Sequence, residues 1–168
     1  MKKVIIAVVS MAIAVVANAS SFKWTAGNIY GSDATTKFTG TVAIMAYTTD
    51  VGSAVKVADA YVVAGTLKSD AQGTATGFTY SWDDAVGGTT YNFYMIIEDG
   101  GNQISTATSN PTKIVSAVAQ ATSTPTVAFG SMATVTQSSD NWGTVPEPTS
   151  ALLMVLGVAG LALRRRRV

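Results

Sequence analysis

Two adjacent pairs of carboxylates, Asp83-Asp84 and Glu98-Asp99, are the side chains with the clearest capacity for acid-base work. They would serve as the acid and base of a glycosidase if the fold held them roughly 5 to 9.5 Å apart. Little else is on offer, because the 168 residues contain neither cysteine nor histidine. Cysteine nucleophiles, Ser-His-Asp triads, histidine or thiolate zinc sites and histidine-ligated haem are thereby excluded within the chain. Neighbouring residues of a strand point to opposite faces, and both pairs fall at the ends of strand-like patterns, so solvated turns are the expected state. A calcium loop would want more oxygen ligands at fixed spacing. The expectation is a protein with no catalytic residue, no cofactor and no metal site, and hence not an enzyme.

The elements that carry these carboxylates read as strands. All fourteen aromatic residues lie between Phe22 and Trp142, and 35 of the 126 residues from Ser20 to Val145 are Ser or Thr. Aromatic and β-branched enrichment with few charges favours strands. The segment Thr90 to Glu98 alternates most clearly, with Tyr91, Phe93, Met95 and Ile97 on one face and Asn92 and Tyr94 on the other. Asp99-Gly100-Gly101-Asn102 then reads as a hairpin turn, since glycine supplies the positive φ angles such turns need, and Gln103 to Ser109 as the returning strand. Further strands are expected at Phe22 to Ala26, Thr39 to Thr48, Ala75 to Trp82, Lys113 to Ala119 and Thr126 to Phe129.

Val51 to Leu67 is ambiguous: Val51, Val55, Ala58 and Val62 fit a helical stripe, whereas Ala60 to Leu67 reads as a strand, the reading favoured here. Seven or eight short strands with turns between them give the expected fold class: mainly β, one antiparallel β-sandwich or jelly-roll-like domain over residues 20–136. Trp24 and Trp82 are expected in its core. Residues 137–145, polar and without apolar period, read as a linker, with Trp142 suited to a membrane interface.

Charge is divided sharply along the chain. From Ser20 to Val145, five lysines stand against nine carboxylates, a net −4, while Arg164, Arg165, Arg166 and Arg167 are the only arginines. Such a body is a poor partner for nucleic acid, whose binding draws on phosphate neutralisation by Lys and Arg.

Both ends read as addresses. Met1-Lys2-Lys3 is a positive start, Val4 to Val16 is apolar except for Ser10, and Ala17 and Ala19 place small residues where an export peptidase requires them. Residues 1–19 are therefore expected to be a signal peptide, removed by signal peptidase after Ala19. Thirteen helical residues rise only about 20 Å, short of a hydrocarbon core of about 30 Å. At the other end Pro146, Glu147 and Pro148 disfavour helix and keep the chain extended. Residues 149–163 form an uncharged, largely apolar run, expected as a membrane helix, and Arg164, Arg165, Arg166 and Arg167 follow as a basic cluster that stays on the cytoplasmic side. Fifteen helical residues span about 22 Å, so arginine snorkelling or local thinning would complete the crossing.

The stretch "VPEPTSALLMVLGVAGLALRRRR" resembles a PEP-CTERM sorting tail, in which a Pro-Glu-Pro motif, an apolar helix and a basic cluster end exported proteins of Gram-negative bacteria. The likeness covers about 23 residues and maps onto residues 146–168, with the motif at 146–148, the helix at 149–163 and the basic cluster at 164–167. It implies processing by an exosortase, a membrane-embedded cysteine transpeptidase, with the protein as substrate. The body's hairpin stretch "TTYNFYMIIEDGGNQIS" resembles, more distantly, the penultimate strand of fibronectin type III domains. The expected partners are signal peptidase, exosortase, the inner membrane in transit and extracellular polysaccharide. The expected destination is the cell envelope, outer surface or extracellular matrix, and the expected role structural or adhesive. A secreted carbohydrate-binding module, a carboxylate-based glycoside hydrolase and a permanently anchored single-pass membrane protein are the alternatives.

Overall fold

A computed structural model of the chain describes residues 19–144. The signal-peptide reading on residues 1–18 and the membrane-helix reading on residues 149–163 lie outside the described residues, within which no helix is long and apolar enough to cross a membrane. Among the described residues, ten strands run in chain order: β1 (Ser20–Gly27), β2 (Gly40–Tyr47), β3 (Val55–Val63), β4 (Thr66–Lys68), β5 (Phe78–Trp82), β6 (Thr90–Asp99), β7 (Asn102–Ser105), β8 (Val115–Val118), β9 (Thr126–Ser131) and β10 (Gly143–Thr144). The one α-helix described, α1 (Ala133–Thr136), is a single turn.

The strands form two sheets. One has the order β5-β1-β9; in the other the order is β10-β7-β6-β2-β3-β4, with β8 also paired to β6. Every pairing is antiparallel except that of β1 with β9, which is parallel. This pair departs from the purely antiparallel expectation. A parallel partner must arrive by a long crossover, and local alternation carries no information about it.

Period-two patterning decides which faces meet. Along β1, Ser20, Phe22, Trp24 and Ala26 are buried; along β6, Tyr91, Phe93, Met95 and Ile97 are buried. Phe22 and Phe93 bring the sheets together with ring centroids 4.9 Å apart, and Trp24 meets Phe93 nearly edge-on at 5.7 Å. Trp82 and Tyr91 close one end at 4.7 Å. Such tilted and edge-on arrangements match the ring quadrupoles and add to the burial of aromatic area. Trp24 and Trp82 thus lie in the core, as their size favours.

The ambiguous segment resolves as a hairpin. A 3-10 turn at Val51–Ser53 precedes β3, and the strand expected from Ala60 to Leu67 is broken at Ala64-Gly65, so that Val63 pairs back with Thr66. Both turn residues have positive φ, 48° and 73°, the geometry whose twist suits a two-residue hairpin. An alanine in the first position hides this turn from a reading keyed to Asn-Gly or Asp-Gly. The Gly100-Gly101 turn joins β6 to β7 where the sequence places it.

The return strand after that turn is shorter than Gln103 to Ser109. It ends at Ser105, where buried Thr106 takes over: its hydroxyl accepts from the Met95 amide at 2.9 Å and donates to the Lys113 carbonyl at 3.1 Å. The edge of β6 is thereby handed from β7 to β8, since Ile96 pairs with Ser105 and Phe93 with Val115.

An exposed loop before β2 carries a titratable clamp. Asp33 Oδ1 accepts from the amides of Thr35 and Thr36 at 2.9 and 2.8 Å. Hydrogen bonding from Thr36, hydroxyl and then amide, followed by Thr35, lowers the Asp33 carboxyl from 3.8 to about 2. A depressed carboxyl contributes stability above its usual pKa and loses it as pH falls toward its folded value. The difference in denaturation midpoint between wild type and Asp33→Asn is therefore expected to be constant at neutral pH, to narrow from about pH 4 and to be lost as pH falls through about 2. A gap that persists unchanged at pH 2 would show that the charge is not involved.

Candidate functional site

The four candidate carboxylates do not converge. Asp83 and Asp84 are exposed just after β5, and the chain then passes Val86, whose amide donates to Tyr91 Oη at 3.0 Å near the start of β6. Glu98 and Asp99 end the same strand. Tyr91 and Glu98 are seven residues apart in an extended chain, about 23 Å, well beyond the roughly 5 to 9.5 Å of a glycosidase pair. Within the second pair the groups diverge too. Glu98 Oε1 accepts from Gln103 Nε2 at 2.8 Å, whereas Asp99 Oδ2 accepts from the Ser32 amide and hydroxyl at 2.7 and 3.0 Å, tying down the loop ahead of β2. Among the described residues, no three acidic side chains cluster closely enough to hold a metal ion.

The outer face of the larger sheet holds an open depression of about 440 Å³. Ala43, Met45 and Ile96 form its floor; the Lys56–Asp59 ion pair, 2.8 Å, and the Glu98–Gln103 hydrogen bond stand at its sides. Buried Tyr94 stands opposite Met45 on the neighbouring strand, its ring 6.2 Å from that of Tyr47. Burial first, and the neighbouring Tyr47 second, raise the Tyr94 phenol above its usual pKa.

At the C-terminal end, the polar segment read as a linker is folded onto the body. Met132 and Val135 are buried, and α1 is anchored by Thr136, whose hydroxyl accepts from the Tyr30 amide at 3.0 Å and donates to the Met132 carbonyl at 3.0 Å. A 3-10 turn at Ser139–Asn141 then reverses the chain. Asn141 Nδ2 donates to the Val135 carbonyl at 2.8 Å and Trp142 Nε1 to the Thr136 carbonyl at 3.2 Å. These are carbonyls that a helix end leaves without an internal partner. Half-buried Trp142 packs against the core instead of standing free for a membrane interface. Gly143 and Thr144 finish the segment as β10, opposite Gln103 and Asn102 of β7. A tryptophan in an otherwise small and polar stretch is the one signal that could have revealed this docking.

The described residues therefore end within β10, and the sorting pattern begins at the same place. Residues 144–167 match the PEP-CTERM protein-sorting motif. The chain carries a PEP-CTERM sorting tail. No curated protein and no solved structure matches the chain. Of the residues the sequence assigns to processing, Pro146, Glu147, Pro148, Arg164, Arg165, Arg166 and Arg167 fall inside the PEP-CTERM match but outside the described residues. Ala17 also lies outside them, whereas Ala19 is described and exposed, with the buried Ser20 opening β1 immediately after it. The PEP-CTERM motif supports exosortase-dependent export of a surface protein.

Proposed function

We propose that this chain is a structural or adhesive component of the cell surface or extracellular matrix, delivered there as an exosortase substrate and not itself an enzyme. The match of residues 144–167 to the sorting motif carries the reading. The body supports it with two sheets closed over an aromatic core and with candidate carboxylates engaged in separate structural contacts. In this reading the body is a β-sandwich, residues 1–19 are removed by signal peptidase, residues 149–163 hold the chain in the inner membrane, and Arg164 to Arg167 fix its orientation. Pro146-Glu147-Pro148 is then the extended site offered to the exosortase, and the tail works as an address that is later removed, as in a GPI signal. A carbohydrate-binding role is the second reading, favoured by the open depression on the larger sheet, where the Lys56–Asp59 and Glu98–Gln103 polar pairs border a largely apolar floor.

Intact mass of the surface protein, from cells with and without the exosortase, tests the first reading. With the enzyme, the mature chain is expected to begin at Ser20 and to lack Arg164 to Arg167; without it, the arginines stay. Retention of the arginines in both strains would mean permanent anchoring.

A further inference from the structure

The short distance between fold and sorting site raises a problem of access. Only Val145 to Pro148 separate β10 from the apolar run that begins at Thr149, and four residues reach at most about 14 Å. With β10 docked on β7, the folded body is held close to the membrane surface at the place where a membrane-embedded enzyme must grip the motif. Releasing residues 137–144 would add eight residues, up to about 27 Å of tether.

The contacts that hold this segment are few, and apart from the half-buried ring of Trp142 they are hydrogen bonds that water can replace. β10 is two residues long and both are exposed; Trp142 is half-buried; Asn141 and Trp142 donate to carbonyls at the end of α1. The turn ahead of it is of another kind, since Met132, Val135 and Thr136 are fully buried. Detachment would therefore stop at Thr136 and leave the core closed. Segments with few buried apolar contacts and solvent-exposed hydrogen bonds are the ones that open locally.

We propose that Gln137 to Thr144 form a releasable clasp held shut by Asn141 and Trp142, and that its opening presents the sorting motif to the exosortase. The proposal rests on the reading of the tail as an exosortase substrate. The test uses the full chain in exosortase-bearing cells. Gln103→Cys combined with Gly143→Cys places a disulfide between register partners, in a protein with no other cysteine and at a glycine whose added Cβ meets nothing closer than 3.9 Å. In the oxidising envelope, the locked protein is expected to lose its tail at least tenfold more slowly than wild type. Either single cysteine variant should be processed normally, and inserting eight Gly/Ser residues between Thr144 and Val145 of the locked protein should restore the rate. Trp142→Ala, which removes the anchor without new chemistry, should be processed at least as fast as wild type.

Normal processing of a chain whose disulfide is verified by mass would overturn the clasp, as would an insertion that fails to rescue or slower processing of Trp142→Ala. If the wild type itself keeps its tail, the substrate reading fails and the clasp with it. Wild-type cleavage accompanied by equal cleavage of the locked chain sinks the clasp alone.

Discussion

Trp24→Ala is expected to remove about 3 to 5 kcal/mol of stability, a large share of the roughly 5 to 15 kcal/mol that a domain of this size possesses. Trp24 is fully buried, stacks on Phe22 at 5.8 Å and on Phe78 at 6.0 Å, and meets Phe93 across the two sheets. Truncation leaves a cavity lined by rings that cannot collapse without breaking the β1 pairings on both sides. Trp24→Phe is the informative companion. The indole Nε1 is buried with no hydrogen-bond partner among the described residues, so the phenyl ring loses volume but also removes an uncompensated donor. Its cost should be well under half that of alanine. Urea denaturation of the mature protein, followed by circular dichroism, measures both. An unfolding free energy for Trp24→Ala within about 1 kcal/mol of wild type, small on the scale of such core truncations, would show that the sheets do not meet through this ring.

Gly65→Ala is expected to cost roughly 3 to 5 kcal/mol although it adds one methyl group. Gly65 has φ +73°, and an added Cβ would stand 2.7 Å from the Ile29 carbonyl oxygen, a backbone atom that cannot rotate away. The residue is also a junction. Its amide donates to the Phe38 carbonyl at 2.8 Å, its carbonyl accepts from Ile29 at 3.0 Å, and the Phe38 amide returns to the Ile29 carbonyl at 3.1 Å. Moving the turn to relieve the clash therefore strains three backbone hydrogen bonds, each worth about 1 kcal/mol, besides the left-handed penalty of about 1 kcal/mol or more. Ala64→Gly, one residue earlier and also at positive φ, is the control and should change the midpoint little, because relief of strain offsets the added freedom of the unfolded chain. Equal midpoints for Gly65→Ala and wild type would mean that the loop ahead of β2 is not held by this turn.

The two substitutions differ in how visible they are beforehand. Trp24 sits in an alternating segment, and a large ring on the apolar face of a strand is expected in the core from sequence alone. Gly65 gives no such warning. Its role depends on Ile29 and Phe38, which are distant in sequence and reach it only because the loop between β1 and β2 folds over the β3–β4 turn.

What the sequence determined by itself is the material that is read locally. The sorting pattern at residues 144–167 is an address, recognised as a linear order of proline, apolar run and arginines, so it was legible without any fold. Most strands were legible for a related reason: alternate residues face alternate sides whatever the partner, as the buried row Tyr91, Phe93, Met95 and Ile97 shows. Tertiary structure alone decided the partners. It set β9 parallel to β1, used Thr106 to pass the edge of β6 from β7 to β8, drew Asp99 away to Ser32, and folded residues 137–144 back through Asn141 and Trp142. Each of these depends on a donor or an apolar surface finding its complement far along the chain, and such complementarity has no period that a local pattern can record.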